Sequence, residues 1–362
     1  MLYPLKFKPV YKSYIWGGRG FKKLGKRLPL GIIAESWEIS CHPDGVSIIA
    51  NGEFKGMPLT KLAELFGREL IGEALLDKDM TKFPLLVKLI DANDRLSVQV
   101  HPDDGYASVY ENGEYGKNEM WYVISAKPGA KLVYDVVPGV KKESFEQAVR
   151  DGRIESCLNF INVFPGDVIN IPAGLVHAIG EGIVIAEIQQ NSNTTYRVYD
   201  YNRVDMYGNK RPLHIEKALG VIDFDTSKRK GKTRGLKVWI GESSIKTHLI
   251  ANKYFSVEKY EVDGSICEDT EGGRFHVFII LGGKAEIAFD EGTIKLTRGE
   301  SVLIPAALGK YQLNGHFEAL KSYVPDLEKN VIDKLTEGGY TMRQIFDCVD
   351  GLEESLNEML VT

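Results

Sequence analysis

Long apolar runs are missing from this chain, and no segment approaches the roughly 18–20 residues that a helix needs to span a bilayer. Its four cysteines are scattered and form no CxxC pair, a pattern typical of reduced thiols in the cytoplasm. The first eight residues, MLYPLKFK, contain no apolar core of a secretion signal. The formal net charge is −5, and there is no basic stripe of the kind that binds nucleic acid. We therefore expect a cytoplasmic protein with neither a membrane nor a nucleic-acid partner.

Short apolar segments separated by Gly, Pro, Asn and Asp make up most of the 362 residues, of which 43% are hydrophobic. Residues 46–50, 131–135 and 168–172 are examples. Many short strands with frequent turn residues predict a sandwich or a barrel. Apolar residues also recur at helical spacing over 59–76 and, more briefly, over 142–149. The sequence therefore predicts a mainly β fold with helical insertions, and its length allows two domains.

An internal repeat makes this prediction more specific. The segment GDVINIP at 166–172 matches GESVLIP at 299–305. An apolar strand that starts at Glu119 precedes the first copy, and another that starts at His276 precedes the second. This G-x5-P pattern is typical of cupin jelly rolls, so the chain resembles two tandem cupin domains.

The two copies differ in the residues that could bind a metal ion. In the second copy, Lys310 stands at the position equivalent to His177, and there is no Gln-x-His sequence. A lone histidine such as His276 is more typical of a structural role. We expect residues 1–231 to form a catalytic, metal-binding cupin domain with helical insertions, and residues 232–325 to form a second, metal-free cupin domain.

Residues 326–362 are a separate compositional unit, with nine acidic and three basic residues. Apolar residues recur at three- and four-residue steps from Met342 to Leu360, and Thr341 with Gln344 fits a capping box. We expect an acidic helical tail whose apolar stripe is buried against the second cupin or against another subunit. Packing on the protein's own body is favoured over the binding of a partner.

Four polar side chains lie in segments that are predicted to be strands or strand ends: Gln99, His101, Glu119 and His177. Alternate side chains share one face of a strand, so Gln99 and His101 point the same way. A lone histidine in a strand is usually structural, but the Gln-x-His pair and a carboxylate within an apolar strand favour a metal site. These ligands suit Zn²⁺, with Fe²⁺ or Mn²⁺ as alternatives, and can leave a position open for water or substrate.

The segment 187–203 is dense in groups that bind polar ligands. Arg197 and Arg203 can each bind a phosphate or a carboxylate through two hydrogen bonds. On their own, these arginines are better explained by a solvated surface or by ion pairs with Asp200 or Asp205. A ligand-binding role therefore depends on further features of the sequence.

Several segments resemble the type I mannose-6-phosphate isomerases, also called phosphomannose isomerases, and in particular their short bacterial branch. The segments are 14–18, 34–38, 83–88, 96–103, 116–119 and 172–177. The Gln-x-His-Pro-Asp sequence that begins at Gln99 is highly specific to this family, whereas G-x5-P is not. The resemblance covers about residues 3–320, so the tail looks like a C-terminal extension of the short bacterial form.

The resemblance implies a metal-dependent, usually Zn²⁺-dependent, interconversion of mannose 6-phosphate and fructose 6-phosphate. The implied metal ligands are Gln99, His101, Glu119 and His177. The implied phosphate-site groups are Lys88, Ser97 and Arg203, where Arg203 replaces a lysine found in some members. The remaining matches are an active-site arginine at Arg197, a carboxylate proposed as an acid/base at Glu187, a pocket lysine at Lys117, and Glu35 in an Ala-Glu-x-Trp pattern near the site.

An aldose–ketose isomerase moves a proton between C1 and C2 through a cis-enediol. This reaction needs a base near both carbons and a positive charge that stabilises the enediolate oxygen, which a metal ion or an arginine can provide. The phosphate group gives binding energy that orients the substrate. The sequence leaves the base open between Glu187, a metal-bound water and another group.

Two other functions use the same residue types. Two histidines and a carboxylate also form the facial triad of non-haem iron oxygenases, which cupins host, and a cupin can bind a sugar phosphate without turnover. Gln99 and the pair of Arg197 and Arg203 argue against an oxygenase, and the lack of a basic DNA-binding-like segment argues against a sensor. The sequence thus favours the isomerase, with a small-molecule sugar phosphate as its partner, and gives no indication of an oligomeric state.

Overall fold

The structure is a computed structural model that describes residues 1–73, 83–204 and 207–361. The strands of the first half are β1 Phe7–Lys8, β2 Val10–Lys12, β3 Glu35–Ile39, β4 Ile48–Ile49, β5 Leu85–Ala92, β6 Val98–Val100, β7 Glu119–Ala126, β8 Lys131–Val136, β9 Leu158–Asn162, β10 Val168–Ile171, β11 His177–Ile179, β12 Ile183–Gln190, β13 Tyr196–Tyr199 and β14 Lys232–Thr233. The helices of this half are α1 Leu59–Ile71, α2 Asp104–Tyr110, α3 Lys142–Arg150 and α4 Ile215–Val221, with short 3₁₀ helices at Gly20–Leu24, Ile154–Cys157 and Thr226–Lys228. Within the described ranges, no helix is long and apolar enough to cross a membrane.

These strands form two sheets that pack on each other. The larger sheet has the order β14-β10-β7-β12-β5-β3-β2, the smaller has the order β13-β6-β11-β8-β9, and β1 pairs with β4. Trp121 and Ile185 of the larger sheet lie in one buried cluster with Leu132 and Ile179 of the smaller sheet. The first half is therefore a jelly roll with its core between the two sheets.

Strand β12 crosses the centre of the larger sheet and is buried along its whole length. Ile183 and Ile185 face the core between the sheets, whereas Val184 and Ala186 pack in a second cluster on the other face. Because side chains alternate along a strand, Glu187 points into the interior of the jelly roll with Ile183 and Ile185. A carboxylate is thereby placed inside an otherwise apolar core.

Helices α3 and α4 pack on the outer face of the smaller sheet. Phe145 of α3 and Leu219 of α4 share a buried cluster with Val133 and Ala178 of that sheet. The helix predicted over 142–149 is α3, and the amphipathic spacing in its sequence follows from this one-sided burial.

Helix α1 begins where the sequence predicts a helix and ends at Ile71. Gly72, the next residue, has a φ of 108°, in the left-handed region that favours glycine and stops an α-helix. The last residues of the predicted helix, 74–76, lie outside the described residues.

The second half is an antiparallel jelly roll of longer strands. Its strands are β15 Leu236–Trp239, β16 Ile245–Ala251, β17 Ser256–Asp269, β18 His276–Phe289, β19 Gly292–Thr297, β20 Ser301–Ile304 and β21 Lys310–Tyr323, with a 3₁₀ helix at Ala306–Leu308. The order is β15-β16-β17-β21-β18-β19, and β20 pairs with β18. The predicted fold class, mainly β with two jelly rolls and helical segments, is confirmed.

The two halves share part of their core. The rings of Phe83 in the first half and Phe275 in the second are 4.5 Å apart between centroids, and both belong to one buried cluster. Near the N-terminus, Leu5 forms a bridge with Leu303 of β20. Strand β14, just beyond the predicted boundary at residue 231, pairs with β10 and so completes the first sheet.

The chain ends in a π-helix at Glu328–Ile332, followed by α5 Asp333–Glu337, α6 Met342–Cys348 and α7 Leu352–Val361. Ile345, Val349 and Leu352 are buried in a cluster with Leu236 and Ala251 of the second half. The tail therefore packs on the protein's own body, which is the arrangement that the apolar pattern favours.

The predicted apolar stripe is not buried throughout. Met342 and Met359 are 42% and 57% exposed. Between α6 and α7 the chain turns at Gly351, whose φ is 80°, and Asp350 pairs with Ile250 in a parallel bridge. The turn divides the predicted stripe from Met342 onward into two short helices, α6 and α7, so a single helical period does not run through it.

Backbone hydrogen bonds also fasten the tail to the linker between the halves. The Cys348 carbonyl accepts from the Gly235 N–H at 3.0 Å and from the Thr233 hydroxyl at 2.8 Å. The Asp350 carbonyl accepts from the Ala251 N–H at 3.0 Å. The tail thus contacts both the linker and the second half.

Candidate active site

Neighbouring strands of the first jelly roll bring the four predicted metal ligands together. Gln99 in β6 lies opposite His177 in β11, His101 directly follows β6, and Glu119 begins β7. His101 Nε2 is 3.3 Å from Glu119 Oε1, and His177 Nε2 is 3.9 Å from Glu119 Oε2. Three of the ligands, His101, Glu119 and His177, have ligand atoms that all lie within 4.8 Å of one another. Among the described residues, no other three His, Cys, Asp or Glu side chains form such a group.

Hydrogen bonds fix the orientation of both imidazoles. His101 Nδ1 lies 2.8 Å from the Thr194 carbonyl, and His177 Nδ1 lies 2.8 Å from the Leu175 carbonyl. A carbonyl only accepts, so each Nδ1 carries the proton and each Nε2 presents a lone pair towards Glu119. This arrangement, with one ring nitrogen donating to a carbonyl and the other free to bind, is the usual one for histidines that bind metal ions.

The protonation states also suit a cation. Burial, aided for His101 by the positive charge of Lys117, lowers the pKa of His101 to about 3, and burial lowers the pKa of His177 to about 4. Burial alone would raise the pKa of Glu119, but Lys117 and His101 lower it well below its ordinary value. At neutral pH the cluster therefore holds two neutral imidazoles and a carboxylate.

Gln99 completes the donor set. Its Nε2 lies 3.3 Å from His177 Nε2, so its amide group reaches the other candidate ligand atoms. A 180° rotation of the amide exchanges its nitrogen and oxygen and presents Oε1 to a cation.

A lysine ammonium group also lies against this cluster. Lys117 Nζ is 2.7 Å from Glu119 Oε1 and 3.1 Å from His101 Nε2, and so places a positive charge between these two ligands.

A second buried carboxylate, Glu187, lies beside the cluster. The strand register puts Glu187 of β12 between Lys88 of β5 and Trp121 of β7. Lys88 Nζ is 2.8 Å from Glu187 Oε1. The Trp121 indole N–H lies 2.8 Å from Glu187 Oε2 and 3.1 Å from Glu119 Oε2, so one donor bridges the two carboxylates.

The charges around Glu187 act in opposite directions on its proton. Burial and the negative charge of Glu119 raise the pKa of Glu187 above its ordinary value, against the lowering effect of Lys88. Burial lowers the pKa of Lys88, but Glu187 and Glu35 outweigh this and raise it above its ordinary value. Lys88 is therefore charged, and Glu187 is a carboxylate of increased basicity.

A cavity of about 290 Å³ opens beside these groups. Most of the predicted residues line it: Glu35, Lys88, Ser97, Gln99, Lys117, Glu187 and Arg197. Residues that the sequence analysis did not select also line it: Tyr14, Trp16, Ile90, Leu96, Ile179, Asn193, Thr195 and Arg211. A larger cavity of about 370 Å³ contains none of the predicted residues, so the smaller one is the candidate active site.

Arg197 lies in the cavity wall next to Ser97. Its Nε donates to Ser97 Oγ at 3.2 Å, and its Nη1 donates to the Pro212 carbonyl at 3.0 Å. Burial and the nearby positive charge of Arg211 lower the pKa of Arg197. The structure thus brings Arg197 and Ser97 together at the cavity wall.

Among the predicted substrate-binding residues, Arg203 is not part of the cavity lining that the described residues form. Its guanidinium donates to Asp200 Oδ1 at 2.6 Å and to Asp94 Oδ2 at 3.3 Å, and also to the Arg95 carbonyl. The ion pair with Asp200, left open by the sequence, is present, whereas Asp205 lies outside the described residues.

Two of the residues that the sequence does not predict, Trp121 and Arg211, contact charged groups of the site. Trp121 has the position of a core residue in an apolar strand, and only the pairing of β7 with β12 shows that its N–H meets Glu187. Arg211 lies beyond the segment 187–203 that was examined for ligand groups. An excess of arginine over acidic residues from Arg197 to Arg211 is the signal that could have found it.

In the second jelly roll, His276, which the sequence analysis expects to be structural, forms a hydrogen bond within the protein. His276 is buried, and its Nδ1 lies 2.7 Å from the Tyr311 hydroxyl. The Nδ1 atom of His276 is therefore engaged by Tyr311, as in a structural histidine.

Comparison with protein families matches residues 4–121 to the catalytic domain of type I phosphomannose isomerase and residues 244–324 to the cupin domain of mannose-6-phosphate isomerase. Mannose-6-phosphate isomerase ManA of Bacillus subtilis is 37% identical over 321 residues, covering 89% of this chain and 99% of that protein. A mannose-6-phosphate isomerase of Streptococcus mutans is 38% identical over 327 residues, with the same coverage. The crystal structure of mannose 6-phosphate isomerase from Bacillus subtilis superposes with a TM-score of 0.80 at 33% identity, covering 88% of this chain and 99% of that one.

Proposed function

Since the chain belongs to the type I mannose-6-phosphate isomerase family, we propose that it is a metal-dependent aldose–ketose isomerase that interconverts mannose 6-phosphate and fructose 6-phosphate. One observation carries this proposal. The cluster of His101, Glu119 and His177 contacts Gln99 and Lys117. These two residues line one cavity together with the buried carboxylate Glu187 and Arg197. Cation ligands, a proton-transfer group and an anion-binding group are the parts that this reaction needs.

The residues that would hold the metal ion are Gln99, His101, Glu119 and His177. Their nitrogen and oxygen donors fit Zn²⁺, which we propose as the ion, and also Fe²⁺ or Mn²⁺. When bound, the ion would supply a positive charge that favours negative charge on a substrate oxygen. The two Nε2 lone pairs that face Glu119 support this assignment.

Glu187 is the proposed base that takes the proton from one of the two reacting carbons and returns it to the other. Burial raises its pKa, and a more basic carboxylate accepts a carbon-bound proton more readily. The Trp121 N–H and the Lys88 ammonium hold both carboxylate oxygens in place. Buried between strands, Glu187 keeps its orientation while the proton moves.

Lys88 has a different proposed role from the one that the resemblance implies. Its ammonium group lies 2.8 Å from Glu187 Oε1 and is 5% exposed in the side chain, which fits a group that positions the base rather than one that binds phosphate. Lys117 and Glu35, which line the same cavity, are proposed to contact the sugar. Ser97 and Arg197 are proposed to bind the phosphate end.

The proposed division into a catalytic part at 1–231, a second cupin at 232–325 and a tail at 326–362 agrees with the location of these residues, since all precede residue 204. The four cysteines are free thiols. Reduced thiols are typical of the cytoplasm, which is the proposed location of the enzyme.

A coupled assay that measures fructose 6-phosphate formed from mannose 6-phosphate tests this function directly. We expect turnover in protein loaded with Zn²⁺, loss of turnover after treatment with a chelator, and recovery when the ion is restored. His177→Ala should lose bound metal and nearly all activity, because the remaining donors bind weakly, whereas His316→Ala, an exposed histidine, is the matched control. Full activity in protein shown by elemental analysis to be free of metal would contradict the proposal.

A further inference from the structure

Two guanidinium groups, those of Arg197 and Arg211, line the active-site cavity. They are fourteen positions apart in the sequence, and backbone contacts bring them together. The Arg197 N–H lies 3.2 Å from His214 Nδ1, the His214 N–H donates to the Arg197 carbonyl at 2.8 Å, and Arg197 Nη1 donates to the Pro212 carbonyl. The segment that carries Arg211 is thereby fastened to the end of β13.

One carboxylate, Asp200, is shared by two arginines. Arg211 Nε donates to Asp200 Oδ2 at 2.8 Å, and Arg211 Nη2 donates to Asp200 Oδ1. Arg203 Nη2 donates to the same Oδ1 at 2.6 Å. Asp200 is buried, and the hydrogen bonds to its two oxygens fix the positions of both arginines.

Among the described residues, the three arginines at this wall outnumber the two carboxylates that pair with them, Asp200 and Asp94. Arg203 is also close to Asp94, but Asp94 is half-exposed and is not part of the cavity lining. Arg197 and Arg211 are left to share what remains of the charge of Asp200. Consistent with this, the positive charge of Arg211 lowers the pKa of Arg197, second only to burial. Two cations that face a cavity with one shared carboxylate form a site for an anion.

We propose that Arg211, with Arg197 and Ser97, binds the phosphate group of the substrate, and that Arg203 is a positioning residue that holds Asp200 and, through it, Arg211. This inference rests on the proposed isomerase function and assigns the phosphate end of the same site. The pair with Asp200 engages Nε and Nη2 of Arg211 and leaves Nη1 outside it, so with respect to the described residues this nitrogen is available to a ligand. Arginine donates to phosphate in a planar fork.

A simple structural ion pair between Arg211 and Asp200 is the alternative. Such a pair is already supplied by Arg203, whose guanidinium donates to four acceptor atoms of Asp94, Arg95 and Asp200 and whose side-chain exposure is 15%. Within the part of the chain that the structure describes, the second arginine on this buried carboxylate pairs with no other carboxylate. Its charge beside the cavity is therefore favourable when an anion binds there. Arg211 retains 27% exposure, as expected for a group that a ligand reaches.

The test compares Arg211→Gln with Arg203→Lys in the full-length, metal-loaded protein. Arg211→Gln should raise KM for mannose 6-phosphate about ten- to hundredfold, since a charge-assisted contact is lost, with a smaller change in kcat. Arg211→Lys, which keeps the charge but not the fork, should recover part of the loss. Arg203→Lys keeps a positive charge beside Asp200 but loses the planar fork. Because Arg203 acts only through Asp200, its variant should raise KM less than Arg211→Gln does.

Binding of inorganic phosphate, measured by calorimetry without turnover, separates this inference from the proposed function. Arg211→Gln should weaken phosphate binding by a factor similar to the change in KM, and Arg203→Lys should weaken it less. If wild-type protein binds phosphate through Arg211 but does not isomerise mannose 6-phosphate, the function is wrong and the anion site stands. If isomerisation occurs and Arg211→Gln leaves both KM and phosphate binding unchanged, or if Arg203→Lys causes the larger loss, the assignment of Arg211 is overturned.

Discussion

At the residue scale, the indole of Trp121 has one N–H and two carboxylate oxygens within reach. We expect Trp121→Phe to lower kcat about ten- to hundredfold, the effect of losing a hydrogen bond to a charged group of roughly 1.5–3 kcal/mol, while KM and metal content stay near their wild-type values. Phenylalanine fills most of the buried space, so the variant should fold. Steady-state kinetics with elemental analysis make the measurement. A variant that loses its metal instead would show that the indole supports Glu119 rather than Glu187.

His248 of the second jelly roll provides a residue-scale prediction about pH. Burial lowers its pKa to about 4, despite the opposing charge of Glu258, whose Oε1 lies 3.3 Å away; the charges of Lys246 and Lys321 act in the same direction as burial. The ordinary pKa of histidine is about 6.5, so between these values the unfolded chain binds more protons than the folded one. Stability is therefore lost as pH falls from about 6.5 towards 4.

We expect His248 to contribute on the order of 3 kcal/mol to this loss, from a difference of about 2.5 pKa units. The free energy of unfolding, measured by urea denaturation at pH 7 and pH 4.5 in metal-free protein, should fall less steeply for His248→Gln than for the wild type. Equal slopes for the two proteins would show that His248 binds protons equally in the folded and unfolded states, and would contradict the prediction.

At the scale of elements, Asn118 connects three segments of the site. Its Nδ2 donates to Gln190 Oε1 at the end of β12 at 2.8 Å, and its Oδ1 accepts from the Ala173 N–H at 3.0 Å, four residues before His177. Asn118 itself precedes Glu119. The side chain therefore fixes the strand of one metal ligand relative to the loop that leads to another.

Asn118→Ala should weaken metal binding about tenfold or more, the usual effect of removing a group that orients metal ligands. Competition with a chelator of known affinity measures this. The matched control is Asn51→Ala, because Asn51 also bridges two segments, through the Lys6 N–H and the Pro4 carbonyl, but lies away from the site. Equal metal affinity in Asn118→Ala and wild-type protein would contradict the prediction.

The elements and ligands that could be predicted from sequence are those set by local pattern. The helix at 142–149 and the strands at 131–135 and 168–172 correspond to α3, β8 and β10 because amphipathic period and turn residues determine them. The period of two likewise placed Gln99 and His101 on one face.

The remaining features depend on contacts between distant segments. Of the segment 46–50, only Ile48–Ile49 forms a strand, paired with β1. The role of Trp121 depends on the register of β7 against β12. Among the described residues, Arg211 lines the cavity and Arg203 does not, and this difference depends on how the loop after β13 folds around Asp200. The periodicity of the sequence predicts neither arrangement, because both depend on contacts between distant segments.

At the scale of the whole molecule, we expect the tail to be dispensable for activity. Its hydrogen bonds reach Lys230, Thr233, Gly235, Lys237, Ala251 and Lys253, and none of these is a candidate site residue. A chain that ends at Val324 should keep measurable isomerase activity but unfold at lower temperature, because Leu236 and the apolar cluster around it become exposed. Thermal unfolding and the coupled assay on the same preparation test both parts. Complete loss of activity in a folded, metal-loaded truncation would show that the tail helps to build the cavity.

The packing of Phe83 on Phe275 couples the unfolding of the two jelly rolls. Each contributes a wall to one apolar interior, so neither can melt without exposing the other, and calorimetry should record a single cooperative transition. A protease cut at Gly231, which has a φ of 73° in the linker, would leave two fragments that remain associated. Expressed separately, the fragments should reassemble into active enzyme, so the chain is a candidate for a split-protein reporter whose signal is sugar-phosphate turnover.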